Sequence, residues 1–140
     1  MNIVLDTNVL ITILSKRSPT RWIFEEFLKE AFTLCVTTDM LDEYAEILGR
    51  FFEHSVVEDF MQIIEEAENV LYINKFIYWN LITADPDDNK FVDCAVACNA
   101  KYIVTDDKHF NVLQKIEFPK VEVIGVKDFK IEWDKLLKSE

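Results

Sequence analysis

The chain has 140 residues, about 50% of them hydrophobic, which is enough for a sizeable core and predicts a single domain over residues 1–140. Its formal net charge of −11 excludes a nucleic-acid-binding protein that relies on a broad basic surface. No stretch approaches the roughly 20 apolar residues of a membrane span, and an odd number of cysteines without a secretory signal predicts a cytoplasmic protein.

The first half of the chain alternates short apolar runs with amphipathic ones. Residues 2–5 predict a strand that ends at Asp6, and the apolar residues 9–14 predict a buried helix. Ser18 and Pro19 suit the N-cap and the first position of a second helix, which should run to about residue 31. The next predicted elements are a strand over 32–36, a helix opened by Thr37 and Thr38, a helix over 56–68 and a strand over 70–73.

The second half begins with residues 74–84, which are apolar without a clear period and are interpreted as a partly buried connection. The next predicted elements are a helix opened by Asp85 and Pro86, a strand over 101–105, a short helix over 110–116, a strand over 121–124 and a helix over 127–138. Strands that alternate with helices in this way pair in parallel through right-handed crossovers. The predicted fold class is therefore α/β, with three layers and a central, mainly parallel sheet.

Four acidic residues stand beside the ends of these elements. Asp6 and Asp107 follow predicted strands, while Glu43 and Asp88 fall in the first turns of predicted helices. Ligands of open parallel sheets collect at the carboxyl ends of the strands, so all four side chains are expected to face one crevice. Their clustered negative charge is unfavourable until a divalent cation neutralises it.

The chemistry of this set favours a hard metal ion. Several carboxylates without nitrogen or sulfur ligands suit Mg²⁺ or Mn²⁺ better than zinc, and two such ions about 3.5–4 Å apart suit hydrolysis of a phosphodiester. Thr7, Asn8 and Thr105 can donate hydrogen bonds that orient Asp6 and Asp107. Small basic groups could hold a phosphate locally: Lys16, Arg17, Arg21 and Lys101.

Structural roles compete with these ligand roles. Asp88 could serve only as a helix cap, Glu43 could be one more exposed acid on its helix, and Asp107 could cap the following turn. Asp93 is a second-rank candidate ligand, and His109 is interpreted as a surface residue in a turn rather than a substrate contact.

Ordered motifs across nearly the whole chain resemble the PIN domain family. In chain order they are Leu5-Asp6-Thr7-Asn8-Val9-Leu10, Asp42-Glu43-Tyr44, Asp85-Pro86-Asp87-Asp88-Asn89-Lys90-Phe91 and Ile103-Val104-Thr105-Asp106-Asp107-Lys108-His109-Phe110. The resemblance implies that the metal ligands and catalytic residues are Asp6, Glu43, Asp88 and Asp107. Relatives commonly have glycine where this chain has Asp106, so the choice between Asp106 and Asp107 stays open, with spacing in favour of Asp107.

Within that family the chain is similar to the toxins of prokaryotic toxin–antitoxin pairs. This resemblance implies an Mg²⁺- or Mn²⁺-dependent endoribonuclease that cleaves RNA, is inhibited by a small antitoxin protein and forms a homodimer. The alternative is a catalytically inactive PIN-like protein-interaction module, which the acidic composition favours because RNA is repelled wherever no cation intervenes. The intact set of four acids favours the nuclease.

Overall fold

The computed structural model describes residues 1–74 and 77–139, and within them five strands form one sheet in which all neighbours are parallel. The strands are β1 (Asn2–Leu5), β2 (Thr33–Val36), β3 (Val70–Tyr72), β4 (Tyr102–Val104) and β5 (Val123–Ile124). Their order across the sheet is β3, β2, β1, β4, β5. The predicted parallel sheet is therefore confirmed.

Six α-helices and two 3₁₀ helices are formed by the described residues. The α-helices are α1 (Thr7–Leu14), α2 (Arg21–Leu28), α3 (Thr38–Phe51), α4 (His54–Glu66), α5 (Asn89–Ala97) and α6 (Val126–Lys138). From the central strand β1 the chain moves first towards β3 and later towards β5, so right-handed crossovers place helices on both faces of the sheet. The fold is a three-layer α/β/α arrangement, as the sequence predicts.

Strands β1 and β4 position the acids that follow them at the carboxyl end of the sheet, Asp6 and Asp107. In β1, Ile3, Val4 and Leu5 are almost fully buried, because helices cover both faces of this central strand. Leu5 pairs with Val104, so the residues that follow the two strands emerge side by side at the carboxyl edge of the sheet. The backbone N–H of Asp6 extends this pairing by donating to the carbonyl oxygen of Val104 at 3.1 Å.

The second helix is shorter than the sequence predicts. Ser18 and Pro19 precede α2 in a turn and are neither its N-cap nor its first residue, because the N–H of Arg21 bonds to the carbonyl of Ser18 and the helix begins only there. The helix ends at Leu28, and Glu30 then adopts a left-handed φ of 61° that reverses the chain before β2. Pro19 therefore belongs to the turn that precedes α2 and not to the helix itself.

Short 3₁₀ helices stand where the sequence predicts regular helical turns. Pro86–Asp88 forms one turn directly before α5, and Lys108–Lys115 forms the second segment after β4. The N-caps are confirmed in two places: Thr37 accepts from the N–H of Met40 at 3.3 Å, and Asp85 accepts from the N–H of Asp87 at 3.2 Å. No described helix combines the length and apolar character that crossing a bilayer requires.

The connection before α5 is irregular over residues 77–84, and side chains of α5 hold it in place. The amide of Asn89 exchanges two hydrogen bonds with the backbone of Ile82, at 2.9 and 2.8 Å, and Asp93 accepts from the N–H of Trp79 at 3.1 Å. Ile82 is 1% exposed, whereas Tyr78 is 66% exposed, so the connection is partly buried as predicted. Phe76, one of its apolar residues, lies outside the described residues.

Candidate metal centre

Asp6 is a buried carboxylate at the carboxyl end of the central strand. The residue is 5% exposed, and its Oδ2 atom accepts a 2.7 Å hydrogen bond from the hydroxyl of Thr105, which follows β4. The hydroxyl oxygen of Thr105 in turn accepts from the backbone N–H of Asp107 at 3.0 Å. One threonine therefore connects the first and last acids of the predicted set, by donating to the carboxylate of Asp6 and accepting from the backbone of Asp107.

Glu43 reaches the same edge from the second turn of α3, one turn later than the sequence predicts. Both of its carboxylate oxygens have partners. Oε2 accepts from the hydroxyl of Thr7, the first residue of α1, and Oε1 lies 2.6 Å from the ammonium of Lys90. The hydroxyl of Thr7 thus holds Glu43, whereas its backbone N–H donates to Asp6, one of the two acids that we expect Thr7 to orient.

Asp88 reaches the edge from the 3₁₀ turn that precedes α5 and is 9% exposed. Within the described part of the chain, its Oδ2 atom is buried and accepts no hydrogen bond. The ring nitrogen Nδ1 of His109 lies 3.4 Å from that atom, a contact that opposes the rise in the pKa of Asp88, and 3.5 Å from Oδ1 of Asp107. A buried carboxylate oxygen in this state is unfavourable unless a cation contacts it.

The acids act on one another electrostatically. Burial raises the pKa of Asp6 above its ordinary value, and the charges of Asp107 and Glu43 raise it further, while the hydrogen bond from Thr105 opposes the rise. Burial likewise raises the pKa of Asp88 to about 6, with added effects of the charges on Asp85, Asp107 and Asp6. Acids from four distant segments therefore meet at one edge of the sheet.

Lys90 is a residue at this edge that the sequence analysis missed. Its partner is Glu43, and the two side chains are only 16% and 25% exposed. Burial lowers the pKa of Lys90, but the hydrogen bond and charge of Glu43 outweigh burial and raise it overall. The available signal was its place in the first turn of α5, where the helix dipole disfavours a positive charge unless acids compensate it.

Asp106 and Asp93, the two uncertain candidates, both contact backbone N–H groups. Asp106 is exposed, and its Oδ1 atom accepts from the N–H of Val126 at 3.1 Å, at the start of α6. Asp93 is 3% exposed and accepts from the N–H of Trp79. In these contacts Asp106 supports a helix start, and Asp93 supports the connection before α5.

Asn8 lies at the mouth of a cavity rather than against the acids. It is exposed, and in the described residues its side chain makes no hydrogen bond to Asp6 or Asp107. The cavity has a volume of about 360 Å³, and its lining includes Asn8, Thr12, Thr20, Asp106 and Asp107. It offers space for a ligand directly beside the acidic edge.

Two of the predicted basic residues, Lys101 and Arg21, lie away from this edge. The backbone N–H of Lys101 bonds to the carbonyl of Asn2 at 2.7 Å, which places Lys101 beside the start of β1 and thus at the opposite end of the strands. Arg21 donates to the carbonyl of Leu14 at 2.6 Å, at the end of α1 farther from Asp6. Lys90 and His109 contact the acids instead.

Comparisons with known proteins agree with this architecture. A family model described as PIN domain matches residues 2–109. The chain is similar in fold to a solved structure of VapBC2 from Rickettsia felis, which is bound to a DNA fragment from its promoter. The sequence identity is 18% and the TM-score is 0.61, and the match covers 89% of this chain and 98% of that chain. FitAcB from Neisseria gonorrhoeae is similar with 15% identity, a TM-score of 0.57 and coverage of 89% and 97%.

No curated protein matches this chain in sequence. The two solved structures share less than a fifth of their residues with it, so they establish a common fold and nothing more. The family model, by contrast, spans well over half of the 140 residues and includes all four candidate acids. The resemblance seen in the sequence is therefore confirmed, and the chain belongs to the PIN domain family.

Proposed function

We propose that this chain is a metal-dependent endoribonuclease that hydrolyses RNA phosphodiester bonds and is the toxin of a toxin–antitoxin pair. PIN domains are usually nucleases and generally depend on a divalent metal. The observation that carries the proposal is the meeting of acids from four distant segments, where burial and mutual repulsion raise the pKa of Asp6 and Asp88. Such a charge cluster is unfavourable in a purely structural role.

In this proposal the ligands of Mg²⁺ or Mn²⁺ are Asp6, Glu43, Asp88 and Asp107. The oxygen ligands suit these ions, and the buried Oδ2 atom of Asp88, which accepts no hydrogen bond from a described residue, fits a site that a cation completes. A bound ion at such a site supplies Lewis-acid activation of water and stabilises charge on the phosphoryl group.

The neighbouring side chains prepare the acids for this role. Thr105 fixes one oxygen of Asp6 and the backbone of Asp107, so these two carboxylates keep a defined separation. Thr7 and Lys90 fix Glu43 in the same way. In this proposal Lys90 also supplies positive charge to the scissile phosphate, on which negative charge develops during hydrolysis.

RNA has to be held locally, because the formal net charge of −11 repels a polyanion over most of the surface. The cavity beside Asp107 offers hydroxyl and amide groups from Asn8, Thr12 and Thr20 for sugar and phosphate contacts. We therefore propose that the RNA strand enters along α1 and that metal ions and Lys90 hold the scissile phosphate.

An antitoxin partner completes the proposal. The neighbours in fold are toxin–antitoxin complexes, and a basic segment of a small partner protein would complement the acidic edge. We also propose that the chain forms a homodimer. We propose a cytoplasmic location as well, because three free buried cysteines suit a reducing compartment. Light scattering of the chain, alone and with the product of an adjoining small reading frame, should give a dimer and a stable complex. A monomer would refute the homodimer, and the lack of a complex would refute the antitoxin partner.

The alternative is an inactive PIN-like interaction module. It is favoured by the state of Glu43, whose two carboxylate oxygens already have protein partners, and by the acidic surface. If Lys90 permanently replaced a metal ion, the fold would be stable and cleavage would be absent. The two readings differ in whether added metal confers activity.

RNA cleavage tests the proposal. Labelled RNAs of varied structure are incubated with Mn²⁺ and the wild type, Asp6→Asn, or Asp42→Asn, which changes an exposed acid on the same helix as Glu43. We expect cleavage by the wild type and Asp42→Asn, a loss of at least about 100-fold in Asp6→Asn, and none with a chelator. Equal activity of Asp6→Asn and wild type, or an inactive wild type on every substrate, would defeat the catalytic proposal.

A further inference from the structure

The cavity beside the acidic edge has walls of mixed chemistry. Its volume of about 360 Å³ lies at the small end of the range of roughly 300–1,000 Å³ that is usual for ligand pockets. Val9 and Val126 supply buried apolar surface, while the polar part of the wall comes from α1, from the turn before α2 and from the segment after β4. A cavity of this size and composition suits one flat ring system with polar edges.

The hydroxyl groups of this wall have their protons committed within the protein. Thr12 donates to the carbonyl of Val9 at 2.7 Å, and Thr20 donates to the hydroxyl of Thr12 at 3.0 Å. The hydroxyl of Ser18 lies 2.8 Å from that of Thr20 and is the donor of the pair, because the single proton of Thr20 is already used. The oxygens of Thr12 and Thr20 therefore meet a ligand as hydrogen-bond acceptors.

The carboxylates of the wall are acceptors as well. Asp106 gives its Oδ1 atom to the N–H of Val126, and its Oδ2 atom accepts no hydrogen bond from the described residues. Asp107 lines the same wall, and no described lining residue is basic. Among the lining side chains, only the amide of Asn8 is able to donate freely. A ligand that satisfies this wall therefore presents several donors on one edge.

Guanine is the RNA base whose edge meets this requirement. Its ring N–H and its amino group stand side by side, next to a carbonyl oxygen, whereas uracil has one N–H between two carbonyls. We propose that the cavity binds a guanine base, with Oδ2 of Asp106 accepting from the amino group and Asn8 donating to the carbonyl oxygen. This inference rests on the proposed ribonuclease function and specifies its substrate as RNA with an unstacked guanine beside the scissile phosphate.

Two competing explanations involve the same acceptors. In the first, Asp106 only supports the start of α6 through Val126, and water covers the rest of the wall. In the second, a cationic side chain of a partner protein enters the cavity. Both explanations predict that nucleotides of equal charge bind alike, because neither contains a group that reads a base. A guanine pocket, by contrast, discriminates between such nucleotides.

Nucleotide binding tests the pocket without RNA cleavage. ¹H–¹⁵N spectra are recorded in the presence of Ca²⁺ while the monophosphate of guanosine, inosine or uridine is added. The inosine nucleotide is the guanosine nucleotide without its amino group, so it isolates that donor. We expect the guanosine nucleotide to bind at least about tenfold more tightly than the other two, with shifts at the N–H signals of Thr12, Asp106 and Val126. Equal affinities for the guanosine and uridine nucleotides would overturn the proposal.

Asp106→Asn removes the free acceptor while it keeps the contact with α6. Its side-chain carbonyl still accepts from the N–H of Val126, but an amino group replaces the second oxygen and faces the donors of guanine. We expect an unchanged melting temperature and loss of the preference for the guanosine over the inosine nucleotide. Asp128→Asn removes an exposed acid from the first turn of α6 outside the cavity and should keep the preference. A preference that survives Asp106→Asn would refute the pocket.

The positions of RNA cleavage separate this inference from the nuclease function on which it rests. With Mn²⁺ and an RNA of mixed sequence, we expect the wild type to cut beside guanines and Asp106→Asn to cut beside other bases as well. Cuts by the wild type without a base preference would overturn the guanine pocket and leave the nuclease proposal standing. Selective binding of the guanosine nucleotide by a protein that cuts no RNA would support the pocket and defeat the nuclease proposal.

Discussion

At the scale of single residues, Asp88 is a carboxylate whose ionisation the folded protein opposes. Its pKa is raised from the ordinary 3.8 to about 6, mainly by burial. Between these two pH values the folded state holds a proton that the unfolded state has released, so the stability of the metal-free protein falls as the pH rises. The extra proton on Asp88 stabilises the folded state relative to the unfolded state. This stabilisation is fully present below about pH 3.8 and is lost as the pH rises past about 6.

We predict that Asp88→Asn is more stable than the wild type at pH 7 without metal, by about 1–2 kcal/mol, because an amide carries no charge into this position. The difference should vanish near pH 4, where Asp88 is protonated in the folded protein. Urea unfolding in the presence of a chelator measures both values. Asp87→Asn, an exposed acid in the same turn, is the control and should change stability little. A less stable Asp88→Asn at pH 7 would contradict this account.

The same substitution should have the opposite effect once metal is present. Mg²⁺ stabilises the folded wild type because it binds only the folded state, and Asp88→Asn removes one of its proposed ligands. We therefore predict that adding Mg²⁺ raises the melting temperature of the wild type by several degrees more than that of Asp88→Asn. Melting curves of the two proteins that respond equally to Mg²⁺ would count against Asp88 as a ligand.

Lys90 is predicted to stabilise the metal-free acids through Glu43. Lys90→Met removes the ammonium 2.6 Å from Glu43, so we expect a loss of about 1–3 kcal/mol in unfolding free energy, since a partly buried carboxylate loses its counter-charge. In the Glu43→Gln background the same change should cost much less. Urea unfolding of the two single variants and the double variant measures this coupling. Additive effects would show that the ion pair contributes nothing.

The sequence identified most of these residues but not their contacts. Asp6 was recognisable because a charge directly after an apolar strand is hard to solvate outside a cleft. The partner of Thr7 was not, because it depends on the depth at which α3 packs against α1, which no local pattern encodes. The role of Lys90 could not be predicted for a similar reason, because its partner Glu43 lies 47 positions away along the chain.

At the scale of elements, the order of strands and helices follows from hydrophobic period, whereas the boundaries depend on turn chemistry. The buried strands were predictable because β1, β2 and β4 are short apolar runs between polar segments. The start of α2 was not, because Ser18 and Pro19 suit a turn as well as a helix start. Likewise, an apolar period alone does not distinguish a 3₁₀ helix from a short α-helix after β4.

Asp106 is predicted to act on α6 as a cap supplied from another element. Gly125 provides no side-chain cap, and Asp106 accepts the first N–H of the helix in its place. Asp106→Ala should therefore lower the unfolding free energy by about 1 kcal/mol. Gly125→Ala should destabilise as well, because an added Cβ would lie 2.8 Å from Oδ1 of Asp106.

A double-variant cycle checks this contact by thermal or urea unfolding. Once Asp106→Ala is present, Gly125→Ala should cost little further stability, since the atom that its Cβ meets has gone. The φ of Gly125 is −75°, which alanine adopts readily, so backbone strain does not confuse the comparison. Fully additive losses would mean that the two residues act independently and that the added Cβ does not act through Asp106.

At the scale of the whole molecule, the negative net charge and the negative charge of the four acids both require divalent cations before RNA can bind. A formal charge of −11 gives RNA no general attraction, so binding has to depend on divalent ions at the acidic edge. We predict that fluorescence anisotropy detects weak or no binding of labelled RNA with a chelator, and clear binding of the same RNA with Ca²⁺, used as a probe ion. Tight binding without metal would indicate a basic surface that the composition does not supply.

Mg²⁺ titration calorimetry tests most directly whether the four acids form one metal site, because Mg²⁺ prefers carboxylate oxygen ligands. The proteins compared are the wild type, the control Asp42→Asn and the four variants Asp6→Asn, Glu43→Gln, Asp88→Asn and Asp107→Asn. We predict that the wild type and Asp42→Asn bind Mg²⁺ equally and that each of the four variants binds it at least about tenfold more weakly. A wild type that binds no Mg²⁺, or four variants that bind it as the wild type does, would contradict the account.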